Sequence, residues 1–206
     1  MEFLVTMTTH VPDGTADGVV QDVRTREAAR SSQLATQGHL LRLWRPPLQP
    51  GEWRTLGLFA AGDAVELEEV LASMPLRVWR TDEVTPLSAH PNDPARQTEK
   101  LPTPPPQPGS PEFLTTFTLS VPVDATPESV DALTQGEADR AGKLAGQGYL
   151  ERLWTLPGEG RTQGPWRAPD SAGMNAILAS LPLSPRMSVQ TTPLTPHPSD
   201  PALTSG

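Results

Sequence analysis

The strongest constraint on this chain is that it is written twice. Gln37-Gly38-His39-Leu40-Leu41-Arg42-Leu43-Trp44 returns 110 residues later as Gln147-Gly148-Tyr149-Leu150-Glu151-Arg152-Leu153-Trp154. Around this joint the match runs from end to end. Glu2-Phe3-Leu4 corresponds to Glu112-Phe113-Leu114, and Val11-Pro12 to Val121-Pro122. Three residues are missing from the loop after the joint, so the later correspondences fall at an offset of 107. Val70-Leu71-Ala72-Ser73-Met74-Pro75-Leu76 then answers to Ile177-Leu178-Ala179-Ser180-Leu181-Pro182-Leu183, and His90-Pro91-Asn92-Asp93 to His197-Pro198-Ser199-Asp200. A tandem duplication of one small α+β domain follows.

Each copy reads β-α-β-β-α-β, the split βαβ order of ferredoxin-like folds. In copy 1, alternation predicts a strand over Glu2–Pro12. A helix follows over Thr15–Gln37, with Thr15 or Asp17 as N-cap and Gly38 at C′. Strands are expected over His39–Arg45 and Trp53–Ala61. A second helix over Ala64–Met74 is capped by Gly62-Asp63 and offers Val65, Leu67, Val70 and Leu71 to the core. A last strand is expected over Arg77–Leu87. Such a sheet carries helices on one face only, and its other face needs cover. Two sheets packed face to face meet that need for each other. The expected architecture is therefore two tandem ferredoxin-like domains packed sheet-to-sheet as an intrachain dimeric α/β barrel. The domains run over 1–95 and 112–206, joined by a Pro-rich, polyproline-like linker over 96–111.

Composition narrows the function classes. Cysteine is absent, which removes disulfides, thiolate catalysis and Cys-ligated metals. The net charge is −8, both copies are acidic, and no Lys/Arg run exists, so nucleic acid is not an expected partner. No apolar run approaches a membrane span, and the N-terminus lacks a signal-peptide pattern. The expectation is a cytoplasmic protein that engages neither membrane nor nucleic acid. No His/Asp/Glu cluster has metal-ligand spacing, and nucleotide-binding glycine patterns and a nucleophile elbow are missing.

Two repeated features point to chemistry. The stripe Ala16, Val20, Val23, Glu27, Ser31, Leu34 on the first helix contains a carboxylate, and Glu137 interrupts the stripe of copy 2 at the same place. An inward carboxylate costs several kcal/mol unless paired or neutralised. On the second strand, strict alternation sets Leu40, Arg42 and Trp44 on one face, and Leu150, Arg152 and Trp154 likewise. The simplest partners are Glu27 with Arg42 and Glu137 with Arg152, across the helix–sheet interface. Such a pair either fixes the helix on the sheet or forms a site, with Arg binding an anion and Glu moving a proton. His90 and His197, in matching His-Pro-x-Asp-Pro tails, read either as proton shuttles or as turn residues.

Taken together, the opening Phe-Leu strand, the helix glutamate, Gln-Gly before Leu-Trp, the Leu-Pro-Leu helix stop and the closing His-Pro-x-Asp resemble the muconolactone Δ-isomerase family, twice over. The resemblance implies ferredoxin-like domains that pair into dimeric α/β barrels and associate further. It also implies a cofactor-free isomerase of aromatic catabolism that shifts a double bond in a small anionic lactone. On that reading Glu27, Glu137, His90 and His197 are the catalytic candidates, and Arg42, Trp44, Arg45, Arg152 and Trp154 the substrate-binding ones. The family reads His-Leu-Trp-Arg on the second strand. Here the His position is Arg42 or Arg152, and the family's Arg survives only as Arg45, with Thr155 opposite it in copy 2. Copy 1, which alone has Arg45, His10 and His39, is the copy expected to be active. A non-catalytic binding or assembly protein of the same fold, and a cofactor-free monooxygenase by fold analogy, are the alternatives.

Overall fold

The structure, a computed structural model, describes residues 1–96, 110–120 and 127–203, with only the backbone described over 127–130. Most of the expected Pro-rich linker, and the Val121-Pro122 match, lie outside the described residues. The chain divides into two compact units, and these do not coincide with the two repeats. Unit 1 comprises Met1–Leu87 together with the segment from Thr195 onward, and unit 2 comprises Ser88–Leu194.

Unit 1 contains β1 (Glu2–Thr9), α1 (Asp17–Thr36), β2 (Leu40–Arg45), β3 (Arg54–Ala60), α2 (Ala64–Ala72) and β4 (Arg80–Ala89, of which the residues through Leu87 belong here). A 3-10 turn over Pro75–Trp79 occupies the start of the expected fourth strand. Proline at the head of that turn ends α2 and presets its own φ. The strands are antiparallel in the order β4–β1–β3–β2, with Phe3 opposite both Phe59 and Pro86. Beyond β2, Trp44 and Arg45 pair with Pro196 and Thr195.

Unit 2 repeats the plan with β5 (Glu112–Leu119), α3 (Pro127–Gly146), β6 (Trp154–Thr155), β7 (Arg161–Arg167), α4 (Ser171–Ala179) and β8 (Met187–Pro196, the residues through Leu194 lying here). Its order is β8–β5–β7–β6, and Ser88 and Ala89 pair with Thr155 and Trp154 at the β6 edge. In each unit the last strand of the edge, and the tail after it, thus come from the other repeat.

The repeated Gln-Gly joint has a clear physical role. Gly38 and Gly148 take φ +79° and +78°, a left-handed conformation that favours glycine. The next N–H groups, of His39 and Tyr149, reach back to the carbonyls of Leu34 and Leu144 at 2.9 Å, while Gly38 and Gly148 bond Ala35 and Ala145. This is the Schellman closure, which satisfies the last carbonyls of the helix and turns the chain into the sheet. At the other end α1 is capped by Ala16 without a side-chain bond, not by Thr15 or Asp17. The Asp63 cap on α2 forms as expected, accepting from Val65 and Glu66 N–H.

The helix-facing core of unit 1 gathers Phe3, Val5, Leu34, Leu43, Phe59 and Leu71; that of unit 2 gathers Phe113, Phe117, Leu144, Leu153, Trp166 and Met174. Val65, expected inside, is 69 % exposed, because the short α2 turns only Leu67, Val70 and Leu71 inward. The decisive departure lies in β2. Leu40 pairs with Phe59 and Arg42 with Leu58, so Leu41 is an extra residue, a β-bulge. The bulge breaks strict alternation. Leu40 shares the helix-side core with Leu43, whereas Arg42 and Trp44 lie on the opposite face of the sheet.

Candidate functional site

A cavity of about 360 Å³ opens in unit 1 between α1 and the helix-facing side of the sheet. Met7, Thr9, Leu43 and Thr55 form part of its floor, and Glu27 reaches it from α1. Its charged lining is cationic: Arg24, Arg45 and Arg80 against the single carboxylate of Glu27, with His197 contributed by the exchanged tail.

Glu27 does not pair with Arg42. Its Oε1 accepts from Arg80 Nη1 at 3.1 Å and its Oε2 from the backbone N–H of Leu76 at 2.8 Å. The reason for the correction is the bulge at Leu41, which puts Arg42 on the far face of the sheet from α1. Glu137 likewise accepts from Leu183 N–H at 3.0 Å and not from Arg152. This explains why the inward glutamate and the Pro-Leu stop, Pro75-Leu76 and Pro182-Leu183, recur together. The turn made by proline presents the N–H of Leu76 or Leu183 to the carboxylate.

Arg80, whose side chain is 2 % exposed, also grips Asp82 through Nε–Oδ1 at 2.6 Å and Nη2–Oδ2 at 3.0 Å. Arg77 bonds the same Asp82 at 2.7 Å and Glu68 at 2.8 Å. Glu27 is therefore the cavity end of an ion chain that continues through Arg80, Asp82 and Arg77 to Glu68. Burial pushes its carboxyl above the usual 4.5, opposed by the Leu76 N–H and Arg80 and reinforced by Asp82. A carboxylate held in this way is more basic than one in water and aimed by two donors.

Arg42 instead clamps the tail. Its Nε and Nη2 lie 3.2 and 3.1 Å from the oxygens of Asp200, which is fully buried, and its guanidinium stacks 4.7 Å from the centre of the Trp44 ring. Asp200 further accepts from Leu43 N–H at 3.1 Å and Ala202 N–H at 3.3 Å. Arg152, Asp93 and Trp154 reproduce the arrangement in unit 2, at 3.2 and 3.1 Å with the ring at 5.2 Å. Arg42, Trp44, Arg152 and Trp154 line neither cavity. The two arginines instead hold the segments that carry His197 and His90.

His197 follows β8, its N–H donating to Leu43 O at 2.9 Å. Its Nδ1 accepts from Ser199 N–H at 3.1 Å, which leaves the ring proton on Nε2. Burial, then Arg45, lowers its pKa to about 4, with Arg24 adding to the effect and Asp200 opposing it. The imidazole is thus neutral near pH 7. His90 has the same geometry with Asn92 N–H at 3.1 Å and is lowered by burial against the pull of Asp93.

Of the sequence candidates, Glu27, Arg45 and His197 meet at the first cavity, and Glu137 and His90 at a second, of about 270 Å³, in unit 2. His10 is exposed and His39 bonds Ala60 O; neither lines either of these two cavities. Sequence reasoning missed Arg24, Arg80, Asp82 and the two tail aspartates. A signal for the first three was present in the copies themselves, where Arg24, Arg80 and Asp82 face Thr134, Met187 and Val189. Among the described residues no three His, Asp or Glu side chains converge in a way that would hold a metal ion, and no helix is long and apolar enough to cross a membrane.

The family model described as muconolactone delta-isomerase matches residues 1–93 and again 112–200. Muconolactone Delta-isomerase 1 of Acinetobacter lwoffii is 33 % identical over 92 residues, which are 45 % of this chain and 93 % of that protein. Muconolactone Delta-isomerase of Cupriavidus pinatubonensis is 32 % identical over 45 % of this chain and 97 % of its own. Nearly the whole of each relative is thus matched by less than half of this chain. Among solved structures, a heme-binding protein from Thermus thermophilus aligns over 97 % of this chain and 93 % of its own with a TM-score of 0.60 at 12 % identity, a likeness of fold.

Proposed function

The chain belongs to the muconolactone delta-isomerase family, and from that premise we propose that the cavity of unit 1 is the site of a cofactor-free proton shift in a small anionic lactone. The observation that carries this reading is the meeting of one basic carboxylate, Glu27, with cationic side chains and a neutral imidazole in one cavity. Arg24 and Arg45 have no carboxylate partner among the described residues, and both reach the cavity, Arg24 braced over Trp53 at 5.0 Å. They would take the substrate's free carboxylate. Glu27 would remove an acidic ring proton and return it two carbons away, so that nothing is gained or lost overall. The intermediate dienolate carries charge on the lactone oxygen, which His197, with its proton on Nε2, would stabilise by donation. Arg80 is the positioning residue that holds Glu27.

The fold belongs to the same proposal. The order β4–β1–β3–β2 with two helices supports a ferredoxin-like reading of each unit.

Turnover of muconolactone followed by ring absorbance tests the reading. Wild type is expected to convert it, Glu27→Gln to lose at least 100-fold in kcat, and Glu137→Gln to remain within a few-fold. Absence of turnover in wild type would leave the second reading, small-molecule binding without chemistry. That reading is favoured by the tie of Glu27 to Arg80, an ion pair that a base must break or stretch to accept a proton.

A further inference from the structure

The two cavities occupy corresponding places but have opposite chemical character. Arg24, Arg45 and Arg80 of the first are replaced in the second by Thr134, Thr155 and Met187. The change extends behind the walls: Glu68, Arg77 and Asp82 become Asn175, Ser184 and Val189. Behind the glutamate the ion chain has been removed as a whole, and of its five members only the first carboxylate is kept, as Glu137. Loss of single members from that chain would have left a buried charge without its partner. The cavity itself, however, was kept. It measures about 270 Å³ and is walled by Phe117, Leu150, Leu153, Trp166 and Met187. Phe117 and Trp166 meet edge to face, with centroids 6.1 Å apart at 63°.

We propose that the cavity of unit 2 is a second binding site, built for an uncharged mono- or bicyclic organic molecule that carries a hydrogen-bond acceptor such as a lactone or ketone carbonyl. Apolar walls with one or two placed polar groups are the usual make-up of a small-molecule pocket. Here the polar groups are Glu137 and His90. Trp166, a wall residue only 2 % exposed, has no acceptor for its buried indole N–H among the described residues. Burial raises the Glu137 carboxyl above its ordinary value, against the Leu183 N–H, and no arginine replaces the lost Arg80. The site therefore disfavours a ligand carboxylate, and the donor it offers a carbonyl is the ring N–H of His90, whose Nδ1 accepts from Asn92 N–H. An anionic ligand would meet no compensating cation inside; Arg161, at the rim, is exposed and bonded to Pro157 O. This site stands apart from the catalytic reading of unit 1, and its test uses binding alone.

Calorimetric titration of the full chain with coumarin, a neutral bicyclic lactone, and with coumarin-3-carboxylate distinguishes the outcomes. Coumarin is expected to bind at one site per chain. Met187→Arg should weaken it at least tenfold and strengthen the carboxylate. Thr155→Arg, at a half-buried position, should act in the same direction by about threefold and decides the matter if circular dichroism shows Met187→Arg to be misfolded. Arg45→Thr should leave coumarin affinity within twofold. The proposal is overturned if wild type gives no coumarin binding, if a folded unit 2 variant leaves the affinity unchanged, or if Arg45→Thr shifts it as much as the unit 2 variants do.

Discussion

Replacing Asp200 by Asn tests how the tail is held. The carboxylate is completely buried and receives two guanidinium N–H groups of Arg42 and two backbone N–H groups, of Leu43 and Ala202. Asparagine keeps one oxygen, enough for the two backbone donors at Oδ1. Its amide NH2 then points at Arg42, donor against donor, and the charge partner is gone. Breaking a buried pair from one side costs roughly 3–5 kcal/mol. The Arg42 side chain is 17 % exposed and regains some water, so about 2–3 kcal/mol is the expected loss. For a unit of this size that lowers the thermal midpoint of unit 1 by roughly 10–20 °C. Urea unfolding, followed by tryptophan fluorescence with circular dichroism as a second probe, measures it. A loss below about 0.5 kcal/mol would refute the reasoning, because it would show the pair behaving as an ordinary surface salt bridge. Asp93→Asn should cost somewhat less, as Arg152 is 25 % exposed.

Three further outcomes are expected. His197 is depressed to about 4 in the folded chain against about 6.5 unfolded, so it contributes stability that is present above pH 6.5 and is lost as pH falls toward 4; stability measured against pH should fall through that window by about 1–2 kcal/mol after allowance for solvent screening, and His197→Gln should flatten that part of the curve. Arg80→Met, which copies unit 2, leaves Glu27 and Asp82 without their shared cation; it should cost about 3 kcal/mol and raise the Glu27 pKa further, as read by carboxyl NMR, and an unchanged pKa would contradict the ion chain. Gly38→Ala forces an L side chain into φ +79° and should destabilise by about 1–2 kcal/mol in urea unfolding, with Gly148→Ala matching it.

What could be read from the sequence was what repeats locally. Gln37-Gly38 marks a helix end because only a left-handed residue closes that geometry, and Glu27 marks a site because an inward carboxylate on an apolar stripe needs a reason. The partner of Glu27 was not legible. A bulge at Leu41 carries no composition mark, yet one extra residue turns Arg42 to the other face and leaves Arg80, 53 residues from Glu27, as the cation in reach. The His-Pro-x-Asp tails were visible as turns, but their exchange depends on strands that leave one unit for the other at Leu87 and Leu194, which no local pattern encodes. The difference between the cavities was present in the alignment of the copies. It became readable only when Arg24, Arg45 and Arg80 were seen to line one wall system and Thr134, Thr155 and Met187 its twin.

The central claim, that Glu27 in the cationic cavity moves a proton, is tested most directly by deuterium wash-in. Muconolactone incubated with the protein in D2O is followed by NMR at the ring carbons that exchange. Incorporation is expected with wild type and with Glu137→Gln, and is expected to stop with Glu27→Gln. Wash-in that survives Glu27→Gln, or that disappears with Glu137→Gln, would contradict it.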